Sequence, residues 1–275
     1  MELIRNDASP QPPIQSPAEP SPVTSIAPAW HTALLIAGIV ALSISGSSRL
    51  AKAQAVQSRL ATYAATAVME MLMLAWVVWG LRIRRVPLRS LFGNLRGGMR
   101  SFFLDLGVAF AFWLAALLVL GTVGIAWSRV ESLLTPRSGA AQAAQGSPLS
   151  PARNEASRAL MQLAPANARE AAAWAALCLL VGLVEESVFR GYFQRQFTVW
   201  ARGNVAIGIV FSALLFGAAH GYQGLRSMVL LAVFGVLFSL LAVSRRSLRP
   251  CILAHSWNDL FAGLAFGILK LHHIL

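Results

Sequence analysis

The chain has 275 residues, of which 56% are hydrophobic and only 12% are charged, and its mean hydropathy is +0.61. This balance excludes an ordinary soluble domain and is typical of a polytopic membrane protein. The formal net charge of +12 does not indicate nucleic-acid binding, because most basic residues are arginines in short linkers between apolar segments, where they fix membrane orientation.

The first 28 residues are polar and proline-rich, and we expect a disordered tail there without a cleavable signal peptide. Seven apolar segments follow, each about long enough to span a bilayer. No segment has the pattern of a strand, so the predicted fold is an all-α, polytopic membrane helix bundle of about seven helices. The predicted spans are Trp30–Ser45, Leu60–Leu81, Phe102–Trp127, Ala171–Arg190, Asn204–His220, Met228–Val243 and Cys251–Leu269.

The spans fall into two groups, residues 29–127 and residues 171–270, joined by an extramembrane linker at 128–170. The middle of this linker is of low complexity, and its end (ASRALMQLAPANAREAAAW) is compatible with a surface helix. The use of alanine, and of arginine over lysine, suggests a bacterial inner membrane. The arginine-rich linkers predict a cytoplasmic N-terminus and an external C-terminus, since they should face the cytoplasm; they are 82–100, 190–202 and 245–249.

Five of the eleven acidic residues lie within predicted spans, where each costs roughly 2.5–3.5 kcal/mol. Asp105 lies near a helix start, where the helix dipole favours a carboxylate, and we interpret it as structural. Glu70 is deeper and could join a polar network, although no second motif accompanies it. Cys178 and Cys251 are isolated in apolar segments, which predicts small buried side chains and no disulfide.

The stretch EESVFR contains both acidic residues of the fourth predicted span. Glu186 precedes Arg190 by four residues, which is the favoured spacing for an ion pair within one helix. Glu185 is rotated by about 100° from Glu186 and has no such partner. A carboxylate in a poorly solvated site is suited to general acid–base chemistry.

Two further pairs have helical spacing. Phe216 and His220 share one helix face in FGAAH, and His255 and Asp259 share another in HSWND, where the carboxylate can orient the imidazole or a bound water. Together with Glu185, this set could activate water and stabilise an oxyanion. Helix packing explains any one pair, but three pairs in a nearly uncharged background favour a functional site.

The predicted depths of these residues conflict. Glu185 and His255 lie near the cytoplasmic ends of their spans, whereas His220 lies at the far end of its own span. They can meet only if part of GYFQRQFTVWARGNV (191–205) enters the membrane as an amphipathic or re-entrant segment, which is tolerated where protein or a watery cavity surrounds the backbone.

The segment from about Ala171 to Leu269 resembles the CPBP intramembrane proteases, which include the eukaryotic CAAX prenyl endopeptidases and bacterial relatives linked to bacteriocin processing and self-immunity. Their signatures E-E-x-x-x-R, F-x-x-x-H and H-x-x-x-N/D correspond here to EESVFR, FGAAH and HSWND. The resemblance implies an intramembrane endopeptidase acting on a membrane-anchored protein or peptide. It implies that Glu185 activates water, that Glu186 and Arg190 complete the first motif, that His220 and His255 belong to the catalytic cluster, and that Asp259 takes the Asn/Asp position.

The need for a metal is open at this point, because the family has been described both as metalloproteases and as glutamic-type proteases. A divalent metal such as zinc would accept Glu185, His220 and His255 as ligands and keep one open position. However, H-E-x-x-H is absent. We favour direct activation of water by Glu185, with no required cofactor.

Two functions of other classes use the same residues. In a transporter or proton relay, Glu70, Glu185, His220 and His255 would form a chain of titrating groups, but the sequence has no obvious inverted repeat. In a non-catalytic, bacteriocin-immunity-type membrane protein, the motif residues would have no chemical role. Retention of every motif residue weighs against this second alternative.

Overall fold

The computed structural model describes residues 24–52, 58–94, 98–134 and 162–271, and these ranges are helical with no strand. The predicted all-α bundle of about seven helices is confirmed. Short 3₁₀ turns occupy Leu88–Phe92 and Gly221–Gln223. The helices are α1 (Ala29–Lys52), α2 (Arg59–Ile83), α3 (Gly98–Leu134), α4 (Ala168–Trp200), α5 (Val205–Ala219), α6 (Leu225–Arg245) and α7 (Arg249–Leu271).

Five of these helices, α1, α2, α3, α4 and α6, are long and apolar enough to cross a membrane, and α5 is a shorter apolar helix. Many large apolar side chains point outward on these helices, including Leu72 of α2, Leu118 of α3 and Leu179 of α4. A soluble protein rarely exposes so much contiguous apolar surface, whereas lipid-facing helices require it.

Helix α4 continues ten residues beyond the predicted end of its span at Arg190, so most of the predicted linker 190–202 is helical. Its central part, Ser187–Phe193, is π-helical, and every side chain in that stretch is buried. The arginines of the segment suggested a loop, but several of its polar side chains have hydrogen-bond partners within the protein. Gln196, for example, is fully buried and its amide donates to the Ala27 carbonyl at 2.9 Å.

Two other predicted boundaries change. Helix α3 extends to Leu134, into the predicted linker 128–170, of which residues 135–161 lie outside the described part. The predicted surface helix also lies partly outside it, and from Ala168 onward that stretch belongs to α4. Residues 24–28, assigned to the disordered tail, are packed against α4, whereas residues 1–23 are outside the described part.

The antiparallel packing of α4 and α5 fixes their register. The Ser212 hydroxyl donates to the Phe189 carbonyl at 2.6 Å, and the ring of Phe216 contacts the ring of Phe189 edge to face, with centroids 5.0 Å apart. His220 is one turn after Phe216 on α5, and Glu185 is one turn before Phe189 on α4. Because the two helices are antiparallel, His220 and Glu185 lie at the same level. Because α4 continues as a helix through 191–200, both residues line one cavity without a re-entrant loop.

Helix α7 packs against α4 at Gly182. A Cβ atom at this position would lie 2.9 Å from the backbone nitrogen of Ser256 and even closer to its hydroxyl. Only glycine permits this approach, which brings the following turn of α4 against the His255 side of α7. The glycine therefore sets the distance between the two helices that carry the first and third motifs.

Asp105 joins α3 to the connection between α6 and α7. Its carboxylate pairs with Arg245 at 2.9 Å and with Arg249 at 3.2 Å, which agrees with a structural role. Both cysteines, Cys178 and Cys251, are buried and unbridged, as expected from the sequence.

Candidate active site

The three sequence motifs converge on one cavity of about 480 Å³ between α2, α4, α6, α7 and the Gly221–Gln223 turn. One wall of the cavity is apolar, with Leu177, Val181 and Phe234 among its residues. The polar groups that line the cavity are concentrated at the converging motifs. They include Glu185, His220, His255 and Asp259, and also Glu70, Tyr222 and Asn258.

Glu186 lies behind the cavity and links two helices through one carboxylate oxygen. Its Oε1 accepts a hydrogen bond from Arg190 Nη1 at 3.0 Å, which is the ion pair predicted from the sequence, and another from His255 Nδ1 at 2.7 Å. The Glu186 side chain is 0% exposed. Because a carboxylate accepts, His255 carries a proton on Nδ1, and its Nε2 faces Glu185 and Asp259.

Asp259 was predicted to orient either the His255 imidazole or a bound water, and the structure shows no hydrogen bond between Asp259 and His255. Its Oδ2 lies 3.6 Å from His255 Nε2, which is beyond hydrogen-bond distance, whereas Glu186 binds the same ring at 2.7 Å. Asp259 instead accepts a hydrogen bond from the neighbouring Asn258 amide at 3.2 Å. The carboxylate that orients His255 is therefore Glu186, on another helix, because the first motif approaches the other edge of the ring.

Glu185 was predicted to lack a partner within its helix. Its Oε2 is buried and has no hydrogen-bond partner among the described residues, and it lies 3.6 Å from His255 Nε2. The side chain is 12% exposed and lines the cavity. This carboxylate oxygen is placed to bind a group that enters the cavity.

His220 differs from His255 in its surroundings. Its Nδ1 donates to the Phe216 carbonyl at 2.8 Å, since a carbonyl oxygen can only accept. In the neutral imidazole, Nε2 then carries the lone pair and accepts hydrogen bonds. The F-x-x-x-H spacing therefore fixes the tautomer of the histidine through the backbone of the phenylalanine four residues earlier.

The ring of Phe216 has a second role. The Arg190 guanidinium lies over this ring, 4.4 Å from its centroid, and 5.1 Å from the centroid of Phe238. Both contacts are within the range of cation–π interactions, which strengthen when the cation is desolvated. The second motif thus stabilises the Arg190–Glu186 pair of the first motif.

Two cavity residues were not assigned to the site from the sequence. Glu70, on α2, is buried, and its Oε2 has no hydrogen-bond partner among the described residues. The sequence did hint at a role, because an acidic residue within a span is energetically unfavourable and so indicates a polar network. It did not show where that network lies.

Tyr222, in the turn between α5 and α6, is the second such residue. Its hydroxyl accepts a hydrogen bond from the Gln223 amide at 3.0 Å, so its own proton is free to be donated into the cavity. Burial raises the pKa of the Tyr222 hydroxyl, which keeps it protonated at neutral pH. Nothing in the sequence except its position beside His220 pointed to Tyr222.

The suggested metal ligands Glu185, His220 and His255 do not form a ligand cluster in this arrangement. Among the described residues, no three His, Cys, Asp or Glu side chains are grouped closely enough to hold a metal ion.

The comparisons with known proteins agree with the motifs. Residues 167–261 match the family model described as "Rce1-like: Type II CAAX prenyl endopeptidase Rce1-like". No curated protein and no solved structure matches the chain. The matched segment contains all three motifs, and the resemblance to the CPBP proteases is confirmed. The segment 167–261 is therefore similar to the Rce1-like type II CAAX prenyl endopeptidases, and the apolar helices of the chain are those of an integral membrane protein.

Proposed function

We propose that this protein is an intramembrane endopeptidase in which Glu185 activates the water that hydrolyses a peptide bond of a membrane-anchored protein or peptide. The observation that carries the proposal is the buried Oε2 of Glu185, which has no hydrogen-bond partner within the described part of the chain and belongs to a side chain that lines a cavity shared with His220 and His255. The family match supports peptide-bond hydrolysis as the reaction class.

In the first step, Glu185 accepts a proton from water as the water oxygen attacks the carbonyl carbon of the substrate. The neutral tautomer of His220, with its lone pair on Nε2, accepts the second hydrogen of the same water and orients it. The new C–O bond places negative charge on the former carbonyl oxygen.

In our proposal the hydroxyl of Tyr222 donates a hydrogen bond to that oxyanion. A neutral donor aimed into a poorly solvated cavity stabilises developing charge without reorganisation, which is the usual source of a large rate gain. Tyr222 is suited to this because Gln223 already occupies its acceptor position.

The second step breaks the C–N bond. Glu185 returns its proton to the leaving nitrogen, so that the two products are a carboxylic acid and an amine. His255 lies 3.6 Å from Glu185 and helps to hold that carboxylate in place, while Glu186, Arg190 and Phe216 hold His255. We assign Glu186 and Arg190 as positioning residues, and Asp259 as a second carboxylate beside His255 Nε2.

The test replaces Glu185 by Gln, which keeps the shape and removes the base. Purified protein in liposomes should lose cleavage of membrane-anchored reporter peptides, while its melting temperature stays close to that of the wild type. Glu170→Gln is a matched control on the same helix, because Glu170 pairs with Arg59 outside the cavity. Normal cleavage by Glu185→Gln would refute the mechanism.

A chelator distinguishes the two catalytic types. We expect cleavage to survive prolonged treatment with 1,10-phenanthroline, because Glu185 alone can activate the water. Loss of activity that added zinc restores would instead support the metal-dependent alternative. Comparing prenylated with unprenylated reporters, each ending in a CAAX-type sequence, would define the substrate class that the family name suggests.

A further inference from the structure

A second cavity, of about 230 Å³, lies between the 88–93 turn, α4 and the connection between α6 and α7. It shares no lining residue with the catalytic cavity. Its lining contains three arginines and no acidic residue. These arginines are Arg190, Arg195 and Arg246.

Two of these three charges have no acidic partner among the described residues. Arg190 pairs with Glu186, but Arg195 donates to the neutral Ser90 carbonyl at 2.8 Å, and the ion pairs of the described residues include neither Arg195 nor Arg246. The cavity therefore has an excess positive charge.

The inner wall of this cavity has unused hydrogen-bonding capacity. Arg190 is 3% exposed, and its Nε and Nη2 are buried without a partner among the described residues. Gln194 is 5% exposed, and its Oε1 is likewise unpartnered. A buried polar group that is left without a hydrogen-bond partner is unfavourable. A ligand that accepts from Arg190 and donates to Gln194 would satisfy both side chains.

We propose that this cavity binds the phosphate of an anionic phospholipid headgroup. Arginine forks match phosphate geometry through paired hydrogen bonds. The other walls are apolar, with Leu91, Phe92 and Leu248, and suit the glycerol part of a lipid. A headgroup hydroxyl, as in phosphatidylglycerol, supplies the donor that Gln194 Oε1 needs.

The surroundings of the cavity favour a lipid as the source of the phosphate. The cavity lies where two of the arginine-rich connections meet, since Gly93 and Ser247 form a bridge and Leu248 N donates to the Phe92 carbonyl at 3.1 Å. Such connections are drawn to the anionic headgroups of the cytoplasmic leaflet.

The experiment measures the melting temperature of the full chain in detergent with dioctanoyl phosphatidylglycerol, dioctanoyl phosphatidylcholine or inorganic phosphate. Phosphatidylglycerol should stabilise the wild type more than phosphatidylcholine does. Arg246→Gln and Arg195→Gln should each need about fivefold more phosphatidylglycerol for the same shift. Arg202→Gln is the matched control for Arg246→Gln, because Arg202 and Arg246 are both exposed and both have a positive φ, but Arg202 lies outside the cavity.

Each outcome has a definite meaning. If inorganic phosphate stabilises the wild type as well as phosphatidylglycerol does, and Arg246→Gln removes this effect, the site binds phosphate from solution. If Arg246→Gln and Arg195→Gln respond to phosphatidylglycerol as Arg202→Gln does, the proposal is overturned. The inactive Glu185→Gln variant should bind phosphatidylglycerol normally, so this result is independent of the catalytic mechanism.

Discussion

His255 and Glu186 are joined by a 2.7 Å hydrogen bond between α7 and α4, and the same Glu186 oxygen accepts from Arg190. One buried oxygen therefore sets both the orientation of the imidazole and the position of the guanidinium. The charge of Glu186 offsets that of Arg190, so the two side chains depend on each other energetically.

Glu186→Gln should lower both stability and activity. The neutral amide leaves the Arg190 charge buried without compensation, and breaking a buried pair in this way costs about 3–5 kcal/mol. We expect a lower melting temperature in liposomes or detergent, together with greatly reduced cleavage.

The double variant Glu186→Gln/Arg190→Met separates the two effects. Removing both charges should recover most of the melting temperature, since Met fills the space between Phe216 and Phe238. Cleavage should stay low, because His255 still lacks its carboxylate. Recovery of full activity in the double variant would mean that Glu186 has only a structural role.

Tyr222→Phe should lower kcat by about 100- to 1,000-fold and leave KM nearly unchanged, as expected for the loss of an oxyanion donor. Tyr63→Phe is the matched control in the same cavity, because the Tyr63 hydroxyl donates to the Leu163 carbonyl and is already engaged. Steady-state cleavage of one reporter by both variants provides the comparison. Equal effects of the two substitutions would exclude Tyr222 as a specific donor.

Glu70→Gln should change substrate preference. The cavity contains three acidic side chains, from Glu70, Glu185 and Asp259, and so favours a hydrogen-bond donor such as a lysine side chain near the scissile bond. A charged hydrogen bond contributes about 1.5 kcal/mol or more, which predicts a roughly tenfold lower kcat/KM for lysine-containing reporters. Reporters with norleucine in place of lysine should be almost unaffected. An equal loss on both reporters would contradict a role in specificity.

Gly182→Ala should separate α4 from α7. The added methyl group would lie 2.9 Å from the Ser256 backbone nitrogen, which a side-chain movement cannot relieve. We expect about 1–3 kcal/mol of destabilisation and reduced cleavage. Gly107→Ala in α3 is the control, because a Cβ there has no atom within 4 Å. Thermal melting and cleavage of the same preparations would test both, and equal results for the two variants would contradict this packing.

The spacing of residues along the sequence was sufficient to predict part of the candidate active site. The four-residue interval between Glu186 and Arg190 predicted their ion pair, and the order of the three motifs predicted which residues converge. The bond between His255 and Glu186 could not be predicted in the same way. It depends on the register of two helices about seventy residues apart in sequence, set by the contact at Gly182.

The predicted end of the fourth span at Arg190 was too early, and the reason is physical. Hydropathy treats Arg190 and Arg195 as marks of a water-exposed linker, yet one pairs with Glu186 and the other donates to Ser90. Whether a buried polar side chain finds a hydrogen-bond or ion-pair partner depends on the tertiary structure, which hydropathy does not describe. The same reason explains why Glu70 could not be assigned to the site, since its neighbours in the cavity belong to helices far along the chain.

The length of α4 has a consequence for the substrate. The helix has 33 residues, and roughly 25 Å of it separate Glu185 from either end, at about 1.5 Å per residue. A hydrocarbon core is only about 30 Å thick, and Glu185 lies five residues, or roughly 7.5 Å, along α4 from Arg190. When α4 spans the bilayer with a headgroup bound at Arg190, cleavage would therefore occur inside the hydrocarbon core but within about 10 Å of the headgroups. A peptide carbonyl at that depth is normally engaged in a helical hydrogen bond. Good substrates should therefore unwind easily beside the scissile bond, and glycine or proline there should speed cleavage.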